Sequence, residues 1–432
     1  MVVIEGVEVQ TGHLIGGAWV SSPQTFETRS PLDWEWKLAD ISRGDGETAD
    51  AAVRAAIEGF GVWSAYEPGE RAAVLRKLAD LIDERSDDIA IVETIDMGFR
   101  HESMRKRLVA RGAINFRTYA DIIEAHEDEQ WDAKGTAHTV MRMPAGPAVV
   151  ITPWNAPFML ATWKLAPALA SGNSVLFKPA EWSPLSAALL AELTVEAGFP
   201  PGVFNLVQGI GEEVGAALVS DERVRRISFT GSPATAKQIG KAAAENLVPF
   251  TAELGGKGPL IVFEDADIEL AAAKAAEQYE DSGQVCLAGT RLLIAESIAD
   301  EFRAAFKKLT EAHVLGDPRD DSTTVAPVVH PEHLANISGL VERSKAEGDH
   351  IVWGGEQREG SLHYELTLIE PRSNDSHIVQ NEVFGPVLTI QTFAAEAEAV
   401  ELANSTRYGL SALIFTSSRE RAERVGRAVR AG

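Results

Sequence analysis

Cysteine is nearly absent from this chain: Cys286 is the single thiol among 432 residues. One thiol excludes an internal disulfide and any multi-cysteine zinc or iron–sulfur site. Cationic charge is scarce too, with 40 Lys and Arg against 64 Asp and Glu and a formal charge of -24. A surface of that sign repels nucleic-acid phosphates and anionic lipid, so neither is an expected partner. Long apolar runs are missing as well. No stretch reaches the roughly 20 residues that span a bilayer, and Glu5 and Glu8 break the apolar start, which has no secretory pattern. With the thiol scarcity, this makes the cytoplasm the expected compartment. What remains is ordinary globular composition, 45% hydrophobic and 24% charged, on a chain long enough for more than one domain.

Apolar spacing places the first helices at 50–60, through Val53, Ala56, Ile57 and Phe60, and at 70–93, through Leu75, Leu78 and Ile82. From Pro147 onward, short apolar runs alternate with helical stretches. The runs are 148–151, 174–177, 203–207 and 227–229, and the helices between them lie near 185–197, 212–219 and 234–244. Strands apolar on both faces with helix-length crossovers predict a parallel sheet covered by helices. A second unit of the same kind begins after Glu253, with strands at 260–263 and 292–294 and helices over 267–279 and 298–309. Between the early helices and the first parallel strand, the polar segment 126–143 turns at Gly135 and reads as a projecting hairpin.

Strand-to-helix junctions hold the chemical candidates. Gly209-Ile-Gly211-Glu-Glu-Val-Gly215 would let a backbone approach a pyrophosphate, but its spacing is GxGxxxG and two glutamates follow at once, a weak dinucleotide signal by itself. Phe229-Thr-Gly231-Ser232-Pro233 suits an anion better, with a glycine turn, a capping serine and proline at the first helical position. Ile151-Thr152-Pro-Trp154-Asn155 and Lys178-Pro-Ala-Glu181 follow neighbouring strands, where ligand crevices form. Each has a plain structural alternative: Asn155 as a turn former, Lys178 and Glu181 as a solvated ion pair, Cys286 as a small buried apolar residue.

Taken in order, Trp154-Asn155, Lys178-Pro-Ala-Glu181, Phe229-Thr-Gly-Ser232, Glu253-Leu-Gly-Gly-Lys257, Gly283-Gln-Val-Cys286 and Glu382-Val-Phe-Gly-Pro386 resemble the signature set of the NAD(P)-dependent aldehyde dehydrogenase superfamily. The similarity runs from about Gly16 to the last residue. It implies an α/β fold with a Rossmann-like NAD-binding domain over 1–122 and 142–254. It also implies an oligomerisation hairpin over 123–141 and a second α/β catalytic domain over 255–432, in a homodimer or homotetramer. In the family, further residues follow the position of Gly432 and complete the catalytic domain and the oligomerisation sheet.

The resemblance also implies roles. Cys286 would attack the aldehyde carbon, the Asn155 amide and the Cys286 backbone N–H would stabilise the oxyanion, and Glu253 would activate the water that hydrolyses the thioester. Glu253 favours hydrolysis over transfer to coenzyme A, because the acyl-transferring members lack that glutamate. No metal is implied. NAD would be held by Thr152, Trp154, Lys178, Glu181, Gly211, Gly215, Phe229, Gly231, Ser232, Leu254, Glu382 and Phe384. A carboxylate at 181 on the ribose hydroxyls disfavours a 2′-phosphate, and so NADP. Around Arg111 the chain is similar to the subgroup acting on muconic-type semialdehydes, in which an arginine there helps hold the substrate's far carboxylate. The alternatives are a simple aliphatic or aromatic aldehyde, a catalytically silent protein on the same fold, and a cysteine hydrolase without NAD.

Overall fold

The computed structural model describes residues 1–432. The chain divides into two compact units: Met1–Ser30, Glu35–Met97 and His101–Glu253 form the first, and Pro31–Trp34, Gly98–Arg100 and Leu254–Gly432 the second.

Short strands open the first unit, not helices: Val2–Ile4, Val7–Val9, His13–Ile15, Ala18–Val20, Thr25–Arg29 and Lys37–Ser42. The sequence expectation of helices first is corrected here. Four of these strands are three residues long, too short for a period-two pattern to declare itself. The helix expected near residue 50 runs over Gly46–Trp63. The one expected over 70–93 breaks at Arg85 into Pro68–Glu84 and Ser86–Met97.

A seven-stranded sheet organises this unit, in the order Phe250–Leu254, Arg226–Gly231, Ala148–Ile151, Val175–Lys178, Phe204–Leu206, His13–Ile15, Ala18–Val20. Ala148–Ile151 pairs in parallel with both Val175–Lys178 and Arg226–Gly231. The chain therefore winds outward from Ala148–Ile151 in one direction and returns to its other side with Arg226–Gly231. Such a reversal opens a crevice at the carboxyl ends of the two strands flanking it. Helix Leu185–Ala197 is buried on nearly all sides, and Gly198 closes it at φ 94°, a left-handed position that favours glycine. The expected hairpin is present as Glu129–Ala133 paired antiparallel with Thr136–Val140, every residue of both strands exposed.

In the second unit a six-stranded sheet runs His350–Trp353, Thr367–Glu370, Val387–Phe393, Arg291–Ala295, Pro259–Val262, Leu413–Phe415. It is parallel apart from its first pair. Alternate residues cover its two faces. Leu260, Val262, Leu292 and Ile294 pack with Ala271, Ala275, Phe302 and Phe306 on one side, while Ile261, Leu293 and Ala295 pack with Ala399 and Val425 on the other. Burial of each large apolar side chain contributes about 1.5–3 kcal/mol, so the continuous apolar strands are what a doubly covered sheet requires.

Helix Ser86–Met97 carries two carboxylates that are fully enclosed. Asp96 accepts from the Leu185 N–H at 2.9 Å and from the Thr28 hydroxyl at 2.9 Å. Burial raises its pKa to about 7 despite those bonds. The folded protein then keeps a proton that the unfolded chain has lost, so Asp96 lowers stability progressively as pH rises from 3.8 to about 7 and by a constant amount above. Asp96→Asn can keep both contacts, because the threonine hydroxyl reverses to accept. Its melting temperature relative to the unaltered protein is expected to rise between pH 4 and pH 8. A difference that is flat across that range refutes the assignment.

Candidate active site

In the first unit the sequence-singled residues gather at the carboxyl edge of the sheet, around the reversal. Thr152 to Ala156 follow the strand Ala148–Ile151, and Phe229 to Ser232 end the strand beside it. Asn155 is buried. The next residue, Ala156, adopts φ 59° and ψ 56°, a left-handed conformation that costs roughly 1–2 kcal/mol outside glycine. Pro157 then starts the helix Pro157–Ala170. Non-glycine residues held in such backbone positions cluster at functional sites, where the surrounding structure enforces them.

Lys178, only 2% exposed, reaches Glu181 with Nζ to Oε2 at 2.9 Å. The weak glycine signal gains sense from its surroundings. A Cβ on Gly215 would lie 3.8 Å from Lys178 Cδ and one on Gly211 4.0 Å from Nζ, so the turn runs past the buried lysine. Of the two awkward glutamates, Glu213 is held by Arg43 in an ion pair. Gly211–Gly215 forms one π-helical turn before Ala216–Ser220, where the sequence suggested a regular helix. At the second junction Ser232 caps Pro233–Glu245 by accepting from the Thr235 N–H at 3.1 Å. The Thr152 and Thr230 hydroxyls are buried without a partner. A capped helix N-terminus, buried hydroxyls awaiting partners and a lysine–glutamate pair suit a dinucleotide's pyrophosphate and ribose.

Glu253 is the penultimate residue of the strand Phe250–Leu254 and is exposed. Sequence reasoning missed its cationic neighbour, Lys164, on the helix after Asn155. Lys164 donates to Ser228 Oγ and to the Phe229 carbonyl, each at 3.2 Å. Burial lowers its pKa to about 8, with Glu253 opposing the shift. In the sequence, Lys164 looked like any helix lysine; its burial is a tertiary property.

In the second unit the candidates lie at the amino edge of the sheet, before the strands that follow them. Cys286 is half-buried and precedes Arg291–Ala295. Its loop is reached through Asp281, Ser282 and Gly283, with φ of 51°, 53° and 64°. Gly283 has no room for a side chain, since a Cβ would stand 2.2 Å from the Gly385 carbonyl oxygen. Gln284, fully buried, staples this turn: Nε2 donates to the Asp281 and Pro327 carbonyls at 3.2 Å, and Oε1 accepts from the Val329 N–H at 3.0 Å. Ser282 adds a hydroxyl bond to the Ala326 carbonyl. The glutamine of Gly-Gln-Val-Cys is therefore a brace for the cysteine loop.

Glu382 accepts from the Gly256 N–H at 2.9 Å, and its pKa is raised by burial. It lies so close to the chain that a Cβ on Gly255 would meet its Oε2 at 1.9 Å. Phe384 sits at φ 55°, with its carbonyl 2.7 Å from His333 Nε2. Lys257 is 2% exposed and its Nζ has no partner. Burial, and secondarily Arg291, lowers its pKa to about 7, with Glu382 opposing. The boundary between the units falls between Glu253 and Leu254.

Arg111 is exposed on the helix Ala110–Glu124. Its neighbours in the basic run, Arg105 and Lys106, are paired with Asp87 and Glu102. The helix is fixed against Pro157–Ala170 by Gly112, where a Cβ would stand 2.7 Å from the Phe158 ring, and by Asn115 donating to Thr162 Oγ1 at 2.9 Å. No group of His, Cys, Asp and Glu is arranged to hold a metal ion, and no helix is long and apolar enough to cross a membrane.

Comparison with known proteins gives a consistent result. Residues 19–432 match the profile of the aldehyde dehydrogenase family. The chain is 37% identical to 2-aminomuconic semialdehyde dehydrogenase of Danio rerio, over 97% of this chain and 88% of that one. It is 39% identical to betaine aldehyde dehydrogenase of Cereibacter sphaeroides, over 92% and 82% of the two chains. Among solved structures, betaine aldehyde dehydrogenase of Staphylococcus aureus in complex with NAD+ superposes with a TM-score of 0.95 at 36% identity, over 98% of this chain and 86% of that one.

Proposed function

This chain belongs to the aldehyde dehydrogenase family as an NAD-dependent oxidoreductase, and we propose that it oxidises a carboxylated, muconic-type semialdehyde to the acid through a thioester on Cys286. The Cys286 thiolate adds to the aldehyde carbon, and the Asn155 amide and the Cys286 N–H donate to the oxygen as it becomes an alkoxide. NAD, when bound, supplies the hydride acceptor. Lys178 and Glu181 would hold its adenosine ribose, Gly231 and Ser232 its pyrophosphate beside the looser glycine turn of Gly211 and Gly215, Thr152, Trp154, Phe229 and Leu254 would contribute further cofactor contacts, and Glu382 and Phe384 would serve its nicotinamide end. Glu253 then removes a proton from the water that hydrolyses the thioester. Glu253 carries the hydrolytic reading, since transfer to another acceptor needs no base at that position.

The substrate reading rests on Arg111, an exposed guanidinium in a helix locked to the one that follows Asn155, and on the resemblance to an enzyme acting on a muconic semialdehyde. A guanidinium fork matches a carboxylate with two parallel hydrogen bonds. Arg111→Ala is expected to raise KM for carboxylated aldehydes by about tenfold or more, the worth of one charge-assisted contact, with much less effect on uncharged ones. NADH absorbance over a panel of both kinds measures this. An equal loss on both refutes the clamp, and no NADH from any aldehyde refutes the whole reading. The exposed hairpin, with Trp131 49% accessible and stacked on His138 at 5.2 Å, offers its apolar surface to a second copy in a homodimer or homotetramer.

A further inference from the structure

Glu93 is a fully buried carboxylate for which neither the motifs nor the proposed chemistry has a use. It belongs to helix Ser86–Met97, yet its hydrogen bonds go to the starts of two other helices. Oε1 accepts from the Phe158 N–H at 2.6 Å and from the Ser186 hydroxyl at 3.0 Å. The first of these contacts falls at a weak point of the fold. Helix Pro157–Ala170 begins with a proline, which offers no N–H, and its N-cap, Ala156, has no side chain able to cap. Phe158 therefore presents the first free amide of the helix, and Glu93 is what meets it. The residue before the left-handed Ala156 is Asn155.

We propose that Glu93 is a positioning residue for the Asn155 amide. It supplies from a separate helix the cap that the N-cap residue Ala156 cannot supply itself, and so fixes the oxyanion donor in place. The proposal rests on the assignment of Asn155 made above. A donor aimed at a developing oxyanion works only when held within a few tenths of an ångström. A turn with a strained residue and an uncapped helix behind it would not hold one. The neighbouring helix supports the same design: Asp96, one turn along from Glu93, meets the Leu185 N–H at the start of Leu185–Ala197, whose N-cap residue Pro184 also makes no capping bond. Burial, and secondarily Asp96, raises the pKa of Glu93 to about 8. Its Oε2 makes no hydrogen bond, so both of its contacts run through Oε1.

A merely structural cap and a positioning cap differ in what they do to the chemistry of the folded enzyme. The test measures the pre-steady-state burst of NADH in Glu93→Leu, Glu93→Gln, Asn155→Ala and the Glu93→Leu/Asn155→Ala pair, with NAD affinity followed by fluorescence. Glu93→Leu is expected to slow the burst about 10- to 100-fold, part of the roughly 10²–10³ that one oxyanion donor is worth, with NAD affinity held. Glu93→Gln, which keeps a carbonyl oxygen for Phe158, is expected to recover most of that loss. In the Asn155→Ala background, Glu93→Leu should cost no more than about twofold, because the two act through one group. Where Glu93→Leu does not fold, Glu93→Asp, one methylene shorter, takes its place in the same comparison. Losses that multiply in the double variant, or a lowered melting temperature with an unchanged burst, overturn the proposal. An unchanged burst in Asn155→Ala would instead overturn the assignment of Asn155, and the proposal with it.

Discussion

Cys286→Ser is expected to lower NADH formation by at least about 10³-fold, with the folded structure intact. The reaction needs a nucleophile that is substantially ionised or easily ionised near neutral pH, and a serine hydroxyl at the same place is neither. Nor does the exchange disturb the loop. Cys286 is half-buried, so replacing sulfur by oxygen opens no enclosed cavity, and the loop is held by neighbours that stay: Gln284 on the Asp281, Pro327 and Val329 backbone, and Gly289 donating to Gln278 Oε1 at 2.7 Å. NADH absorbance and circular dichroism measure the two halves of the expectation. A rate retained within about tenfold would remove Cys286 from the chemistry, since loss of a covalent nucleophile costs far more. Because this is the chain's single thiol, a thiol reagent that inactivates the protein can act at no other cysteine. One equivalent incorporated per chain should account for all of the lost activity.

The parts of the fold legible in the sequence are those whose signal is local. Leu185–Ala197 reads as a helix from its length between two apolar runs, and Ala148–Ile151 reads as a doubly covered strand from its unbroken apolar run. The short strands before Ser42 carry no such signal, because three residues hold barely one period of alternation. The placement of the site was half legible. Residues after Ala148–Ile151 and Val175–Lys178 were expected at the carboxyl edge of a parallel sheet and are there. In the second unit, Gly256, Cys286 and Glu382 to Phe384 lie ahead of their strands, at the amino edge, where no general rule for parallel sheets directs attention. Only the motif order pointed to them.

Burial was the other hidden quantity. Glu93, Lys164 and Lys257 look like surface charges, and their seclusion arises from helices and strands that are distant in sequence. Cys286 misleads in the opposite direction: statistics for free thiols favour a core position, whereas the left-handed turn through Asp281, Ser282 and Gly283 brings it partly to the surface. A backbone conformation of that kind leaves no mark in the sequence apart from its glycine.

Glu253→Gln separates the two halves of the reaction. If Glu253 is needed only to deprotonate water, the thiolate still adds, the hydride still leaves, and one equivalent of NADH appears in a burst of nearly normal amplitude. Turnover afterwards should fall about 10²–10⁴-fold, the usual contribution of a positioned general base, with the enzyme accumulating as its thioester. The side chain's setting favours the base role. Glu253 lies near the end of an edge strand and is exposed to water, and its charge partly offsets the burial that pulls Lys164 down to about 8. Charge neutralisation at 253 removes the group that helps keep Lys164 protonated, so Lys164 should lose its proton at a lower pH in the variant. Rapid-mixing absorbance gives burst and steady state in one trace, and mass spectrometry detects the acyl group on the peptide containing Cys286. Loss of the burst along with the turnover would place Glu253 before hydride transfer, as the base that ionises the thiol. An unchanged steady state would leave the thioester to be hydrolysed without it, and with that the case for a hydrolytic enzyme would lose its carboxylate.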